Sequence, residues 1–257
     1  MIEYGISSTI ANDRDVYSAI DIVGKSKFKW IELRCDSPHF KYEDLSEIKK
    51  VKKRLKKGGI KAIALHPPGW VDLGTEEEWT RMKSVREVEK TILIANRLKT
   101  PRIIVHPGSK NGILKQVELS LNEIKEFADE WKVEPVLENT IPPYFGSEPE
   151  ILKSLSNKFD LNICIDTSHA ASRGDRIEEF LNKLSDRIKH FHISNSYMEG
   201  GDDHLIPFEG KIDWLPLKDF LNKFDGYIIF ELPPQEDLNE TLNKLYKVTN
   251  DWQKIKI

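Results

Sequence analysis

PRIIVH, residues 101–106, is a short apolar run that stops on a histidine. The device recurs five more times: IKAIALH ends on His66, VEPVLE on Glu138, LNICID on Asp166, IKHFH on His192 and YIIFE on Glu231. Runs this short, rich in Ile, Val and Leu and without strict polar alternation, read as strands covered on both faces, as in a parallel sheet. Parallel strands of one closed barrel all finish at the same end, so these six terminal groups would meet at one mouth.

Working outward, strand-like runs fall near residues 3–8, 29–34, 60–66, 102–106, 133–139, 161–166, 188–193 and 227–231, eight in all. Helical spacing fills the intervals. Trp79, Met82, Val85, Val88, Ile92, Ala95 and Leu98 recur every three or four residues, as do Leu114, Val117, Leu121, Ile124, Ala128 and Trp131, and Leu238, Leu242, Leu245, Val248 and Trp252. Eight strand–helix alternations predict a single (β/α)8 TIM barrel over residues 1–257. An open doubly wound sheet is the alternative, but YGISSTIAND after the first run has one glycine and no dinucleotide fingerprint.

The 257 residues suffice for one large core. With 39% hydrophobic and 32% charged residues the chain reads as globular, and a net charge of −3 argues against general affinity for nucleic acid or anionic lipid. No targeting signal or bilayer-length apolar run is visible, so the expected location is the cytoplasm, with no membrane and no evident protein partner. Cys35 and Cys164 form no zinc-ligand pair and are expected to be free thiols. The lysine-rich stretch 49–57 carries an apolar stripe of Leu45, Ile48, Val51 and Leu55, and reads as a helix with a solvated face, stopped at Gly58 and Gly59.

The chemistry should sit where strands end. Five of seven histidines, His66, His106, His169, His192 and His204, fall at strand ends or in the loops that follow them. Asp166 and His169 form a DxxH, and Asp202 and His204 a DxH whose alternate residues can face one ion. Imidazoles mixed with carboxylates suit zinc, or manganese and iron where oxygen ligands dominate. His190, a strand step below His192, reads as packing or support. Glu32 is expected to pair with Arg34 or a loop lysine, or to act at the mouth. His39 is expected at the surface. Trp70, Tyr144 and Phe145 are candidate mouth aromatics, as wedges, lids or loop packing, and Lys110 is a loop lysine within possible reach of a phosphate.

HPP from 66, HPG from 106, LENT from 137, IDTSHA from 165, HFHISNS from 190 and DDHLIPFEGKIDW from 202 resemble, in order and over nearly the whole chain, the xylose isomerase-like barrel superfamily (AP endonuclease family 2). That superfamily includes endonuclease IV and sugar or sugar-phosphate isomerases and epimerases. Carried over by this resemblance, endonuclease IV's three zinc ions would be held by His66, His106 and Glu138; by Glu138, Asp166, His192 and Glu231; and by His169, Asp202 and His204. Glu138 would bridge, and Glu138 and Glu231 would be the catalytic carboxylates. The implied activity is metal-dependent phosphoester hydrolysis, by resemblance at abasic sites in DNA, with Mn2+ or Mg2+ as other cofactors. The isomerase branch implies one ion on Glu138, Asp166, His192 and Glu231, and a small sugar phosphate as substrate. Two departures bear on DNA: Asp203 stands where endonuclease IV usually has Arg, and Ile193, Ser194 and Asn195 where it has Asn-Asp after the strand-seven histidine.

Overall fold

A computed structural model describes residues 1–172, 174 and 176–252. Eight parallel strands close in sequential order: β1 (Ile2–Ser7), β2 (Trp30–Arg34), β3 (Lys61–His66), β4 (Arg102–Val105), β5 (Glu134–Glu138), β6 (Asn162–Asp166), β7 (Ile188–Ile193) and β8 (Gly226–Phe230), with β8 pairing back onto β1. Around them lie α1 (Val16–Lys25), α2 (Leu45–Gly58), α3 (Glu78–Leu98), α4 (Leu114–Trp131), α5 (Pro149–Phe159), α6 (Thr167–Ala171), α7 (Ile177–Leu184), α8 (Leu215–Leu221) and α9 (Leu238–Asp251). The single (β/α)8 barrel, rather than an open sheet, is the architecture.

Local chemistry sets the helix limits. Asp15, Asp44, Asp166 and Asp237 accept backbone N–H groups at helix N-termini, and Gly59 closes α2 in the left-handed conformation, φ 65°. Ile48, Val51 and Leu55 of α2 are buried, but Leu45 is exposed; likewise Trp79, Met82, Leu114 and Trp131 lie at the exposed ends of stripes whose middles are buried. Periodicity identifies the covered face of a helix but not where along its length the cover stops. Among the described residues no helix is long and apolar enough to cross a membrane.

The two-residue period of a strand stacks the barrel interior in layers. One layer contains Ala64, Ile104, Val136 and Cys164, a separate buried cluster inside the ring of strands. Two residues further along each strand, or one past its end, stand His66, His106, Glu138 and Asp166. The same step takes Glu32 to Arg34, His190 to His192 and Ile229 to Glu231.

Candidate metal centre

The mouth holds three overlapping groups of ligand-type side chains, with donor atoms within 4.8 Å of one another in each: His66, His106 and Glu138; Glu138, Asp166, His192 and Glu231; and Asp166, His169 and His204. Glu138 links the first two through different oxygens. Its Oε2 lies 3.3 Å from His66 Nε2 and 3.0 Å from His106 Nε2, while its Oε1 lies 2.9 Å from His192 Nδ1. Glu231 approaches the same His192 nitrogen at 2.8 Å. Asp202 reaches over from the loop after β7, 3.3 Å from His169 Nε2 and 2.8 Å from His204 Nε2. Asp166 thus joins the third group alongside the residues the sequence placed there, and Asp202 bridges its two imidazoles from the solvent side.

Backbone carbonyls fix which imidazole nitrogen faces the mouth. With Nδ1–H donating to Pro67 O (2.9 Å), Asn139 O (2.9 Å) and Glu231 O (3.2 Å), His66, His169 and His204 each turn Nε2 inward. His192 is reversed, with Nδ1 in the site and Nε2 3.1 Å from Glu32. Glu32 is fully buried and pairs with His192, with His190 Nε2 3.2 Å away, not with Arg34 or a lysine. The expected partners were wrong because the strand alternation turns Glu32 inward, where barrel closure brings the two β7 imidazoles against it while Arg34 turns to Asp36. Arg34 instead donates from Nε to Asp36 at 2.7 Å.

Asp166 supplies the strongest test of whether a cation belongs here. Its Oδ1 accepts the His169 N–H at 2.8 Å and caps α6, but its Oδ2 is buried with no hydrogen-bond partner among the described residues. A buried carboxylate oxygen left alone is costly, and a cation beside it removes the cost. The donor set, imidazoles and carboxylates without thiolate at the mouth, fits zinc and similar divalent ions. Without metal, the charges lean on each other. Burial alone would raise Glu138 and Glu231, but His192 outweighs it, helped by His106 at Glu138 and His204 at Glu231; Glu138 falls well below the usual range and Glu231 to about 2. Burial opposes protonation of His204, and Asp166 with Asp202 overcomes it, raising that imidazole to about 9.

Other expectations meet mixed outcomes. His39 is buried rather than at the surface: its Nδ1–H donates to Arg14 O at 2.7 Å and its Nε2 lies 3.1 Å from the Ser8 hydroxyl, tying the β1 and β2 loops together. Cys35 and Cys164 are free and buried, but Cys164 lies against His190 and His192 within a ligand-range group that spacing along the chain could not reveal. Phe145 packs into the core, whereas Trp70 and Tyr144 remain exposed. Lys110 is exposed and lies outside the mouth lining. Arg34, which sequence reasoning treated only as a partner for Glu32, lines the mouth cavity. Its position two residues after Glu32 was the signal.

A barrel six of whose eight strands deliver acids and imidazoles to one end defines a class of metal-site enzymes, and the chain belongs to the xylose isomerase-like TIM barrel family, whose profile matches residues 20–248. A probable endonuclease 4 of Halothermothrix orenii is 27% identical over 80% of this chain and 84% of its own. A D-tagatose 3-epimerase-like protein superposes with a TM-score of 0.86 at 23% identity, covering 98% of this chain and 97% of that one. Endonuclease IV from Thermus thermophilus gives 0.76 at 22%, covering 99% and 100%. At these identities the two structural likenesses speak to fold.

Proposed function

We propose that this protein is a metal-dependent phosphoester hydrolase with a polynuclear, zinc-type centre. The observation carrying this reading is the fusion of three ligand groups through Glu138 and Asp166. A single-ion enzyme has no use for His66, His106, His169, His204 and Asp202 together. His66, His106 and Glu138 would hold one ion, Glu138, Asp166, His192 and Glu231 a second, and Asp166, His169, His204 and Asp202 a third. When bound, such ions supply Lewis-acid stabilisation of phosphoryl oxygens and make water a nucleophile at neutral pH. The chain's own part is orientation: backbone carbonyls lock three imidazoles, Glu32 locks the fourth, and the buried walls exclude bulk water from their inner faces. The endonuclease name carried by the H. orenii relative supports phosphoester chemistry.

A second reading, a sugar or sugar-phosphate epimerase with one ion, is favoured by the complete four-residue set Glu138, Asp166, His192 and Glu231. There Glu138 and Glu231, both beside His192 Nδ1, could act as an acid/base pair on a carbon next to a carbonyl.

Metal analysis of the purified protein separates the two. Two or three ions per chain, with chelator-sensitive cleavage of bis(p-nitrophenyl) phosphate or an abasic-site duplex, support the hydrolase. In that case Glu138→Gln should lower cleavage by at least about 100-fold, because it disables the carboxylate shared by two groups. One ion, no cleavage and ketose interconversion would establish the epimerase instead.

A further inference from the structure

Six of the side chains that the inner-facing strand positions deliver to the mouth are acids or imidazoles; the seventh is Arg34, delivered by β2. No other lysine or arginine is among the described residues lining the mouth cavity. We propose that Arg34 anchors the phosphate of a small phosphorylated substrate at this centre, an inference that rests on the metal-loaded reading above.

The guanidinium is held for such a role rather than consumed by another. Asp36 takes the Nε–H at 2.7 Å, and Arg34 N–H donates to the Ser8 hydroxyl, which fixes the base of the side chain. Nη1 lies 3.1 Å from His66 Nδ1, but that nitrogen also faces Pro67 O at 2.9 Å. One ring nitrogen serves one of these partners. With Nε2 turned to a bound ion, Nδ1 would carry the hydrogen and give it to the carbonyl, and Nη1 would then have no acceptor among the described residues. Nη2 has no hydrogen bond to the protein among the described residues. Gly69, in the HPPG loop after β3, makes room for it, since a Cβ there would lie 2.8 Å from Nη2.

The result is a recessed fork of donors, the side chain only 17% exposed, beside the group that includes His66 and Glu138. A planar fork with free N–H groups matches phosphate oxygens. The rim argues for a small compound. Asp36, Asp202 and Asp203 line a cavity of about 380 Å3, and the positive rim that tracks a nucleic-acid backbone is absent from that lining.

The test is calorimetric titration of the zinc-reconstituted full chain with inorganic phosphate and with ribose 5-phosphate, with zinc content measured for every variant. Arg34→Gln should weaken both ligands by about 10- to 100-fold at unchanged zinc content, the loss expected for charge-assisted bonds. Arg34→Lys should fall between, keeping the charge without the fork. Lys110→Ala should match the wild type. Unchanged affinity in Arg34→Gln overturns the assignment. So does loss of zinc together with phosphate, since Arg34 would then be supporting His66. Arg34-dependent binding of an abasic duplex more tightly than ribose 5-phosphate overturns the small-substrate class. Failure of the hydrolase reading looks different: phosphate still binds through Arg34, and the wild type cleaves no phosphoester.

Discussion

Glu32 is a carboxylate with no exposure, placed between two imidazoles beneath the mouth. Burial alone would keep it protonated, and the His192 and His190 rings reverse that, holding it far below the usual carboxylate range. Its geometric effect is to accept the Nε2–H of His192, which leaves Nδ1 as the face turned to Glu138 and Glu231. Carboxylates in this relation to a ligating histidine commonly change metal affinity when altered. Glu32→Gln should therefore weaken zinc binding by about 10- to 100-fold, read by competition with a chromophoric chelator, and shift the visible spectrum of the cobalt-substituted protein while far-UV circular dichroism stays the same. An unaltered affinity and spectrum would reduce Glu32 to a core ion pair. The residue type and strand position of Glu32 were legible in the sequence, but its partners were not. His190 and His192 lie some 160 positions away on β7, and only barrel closure brings them together. His39 was misplaced for a related reason: nothing local to it announces the Ser8 and Arg14 contacts that bury it.

At the scale of elements, all eight strands were legible because each is a compact apolar run, and their ends were legible because polarity changes abruptly at the mouth. The loop after β7 was less so. Asp202 and His204 face one another's partners because the chain doubles back, Asn195 and Leu205 exchanging backbone hydrogen bonds at 2.7 and 2.8 Å, and because His204 adopts a left-handed φ of 45°. Neither feature has a counterpart in hydrophobic periodicity. Gly5 in β1 shows the constraint a strand seam imposes. A Cβ there would stand 2.7 Å from Ile229 Cδ1, 2.8 Å from the Trp30 carbonyl oxygen and 2.9 Å from Trp30 Cβ. Two of those three atoms cannot swing aside. Gly5→Ala should destabilise the fold by about 1–3 kcal/mol through overpacking at the β8–β1–β2 seam, visible as a lower urea midpoint with an unchanged slope. A midpoint equal to the wild type would mean that the seam has slack the packing does not show.

For the whole molecule, the site and the fold share one electrostatic balance. Glu32, Glu138, Asp166 and Glu231 all lie in the closed interior, and in the metal-free chain protonated imidazoles are what offsets them. His204 is the member whose titration falls in an accessible range. Its folded value of about 9 lies above the ordinary 6.5. A raised histidine contributes stability that is fully present below about 6.5, where both states are protonated, and that is lost as pH rises through the folded value of about 9. The metal-free protein should therefore lose stability across that window, by an amount on the order of a few kcal/mol, as His204 sheds its proton and leaves His169 alone to offset Asp166 and Asp202. Zinc would replace those protons as the source of positive charge, so the loaded protein should hold its melting temperature over the same range, and adding chelator at pH 9 should lower it more than at pH 6. Melting curves of chelated and zinc-loaded protein at a series of pH values provide the measurement. If the two forms respond to pH in parallel, the imidazoles and carboxylates at the mouth are not balancing one another, and the coupling between the cluster and the barrel is lost as an explanation of either.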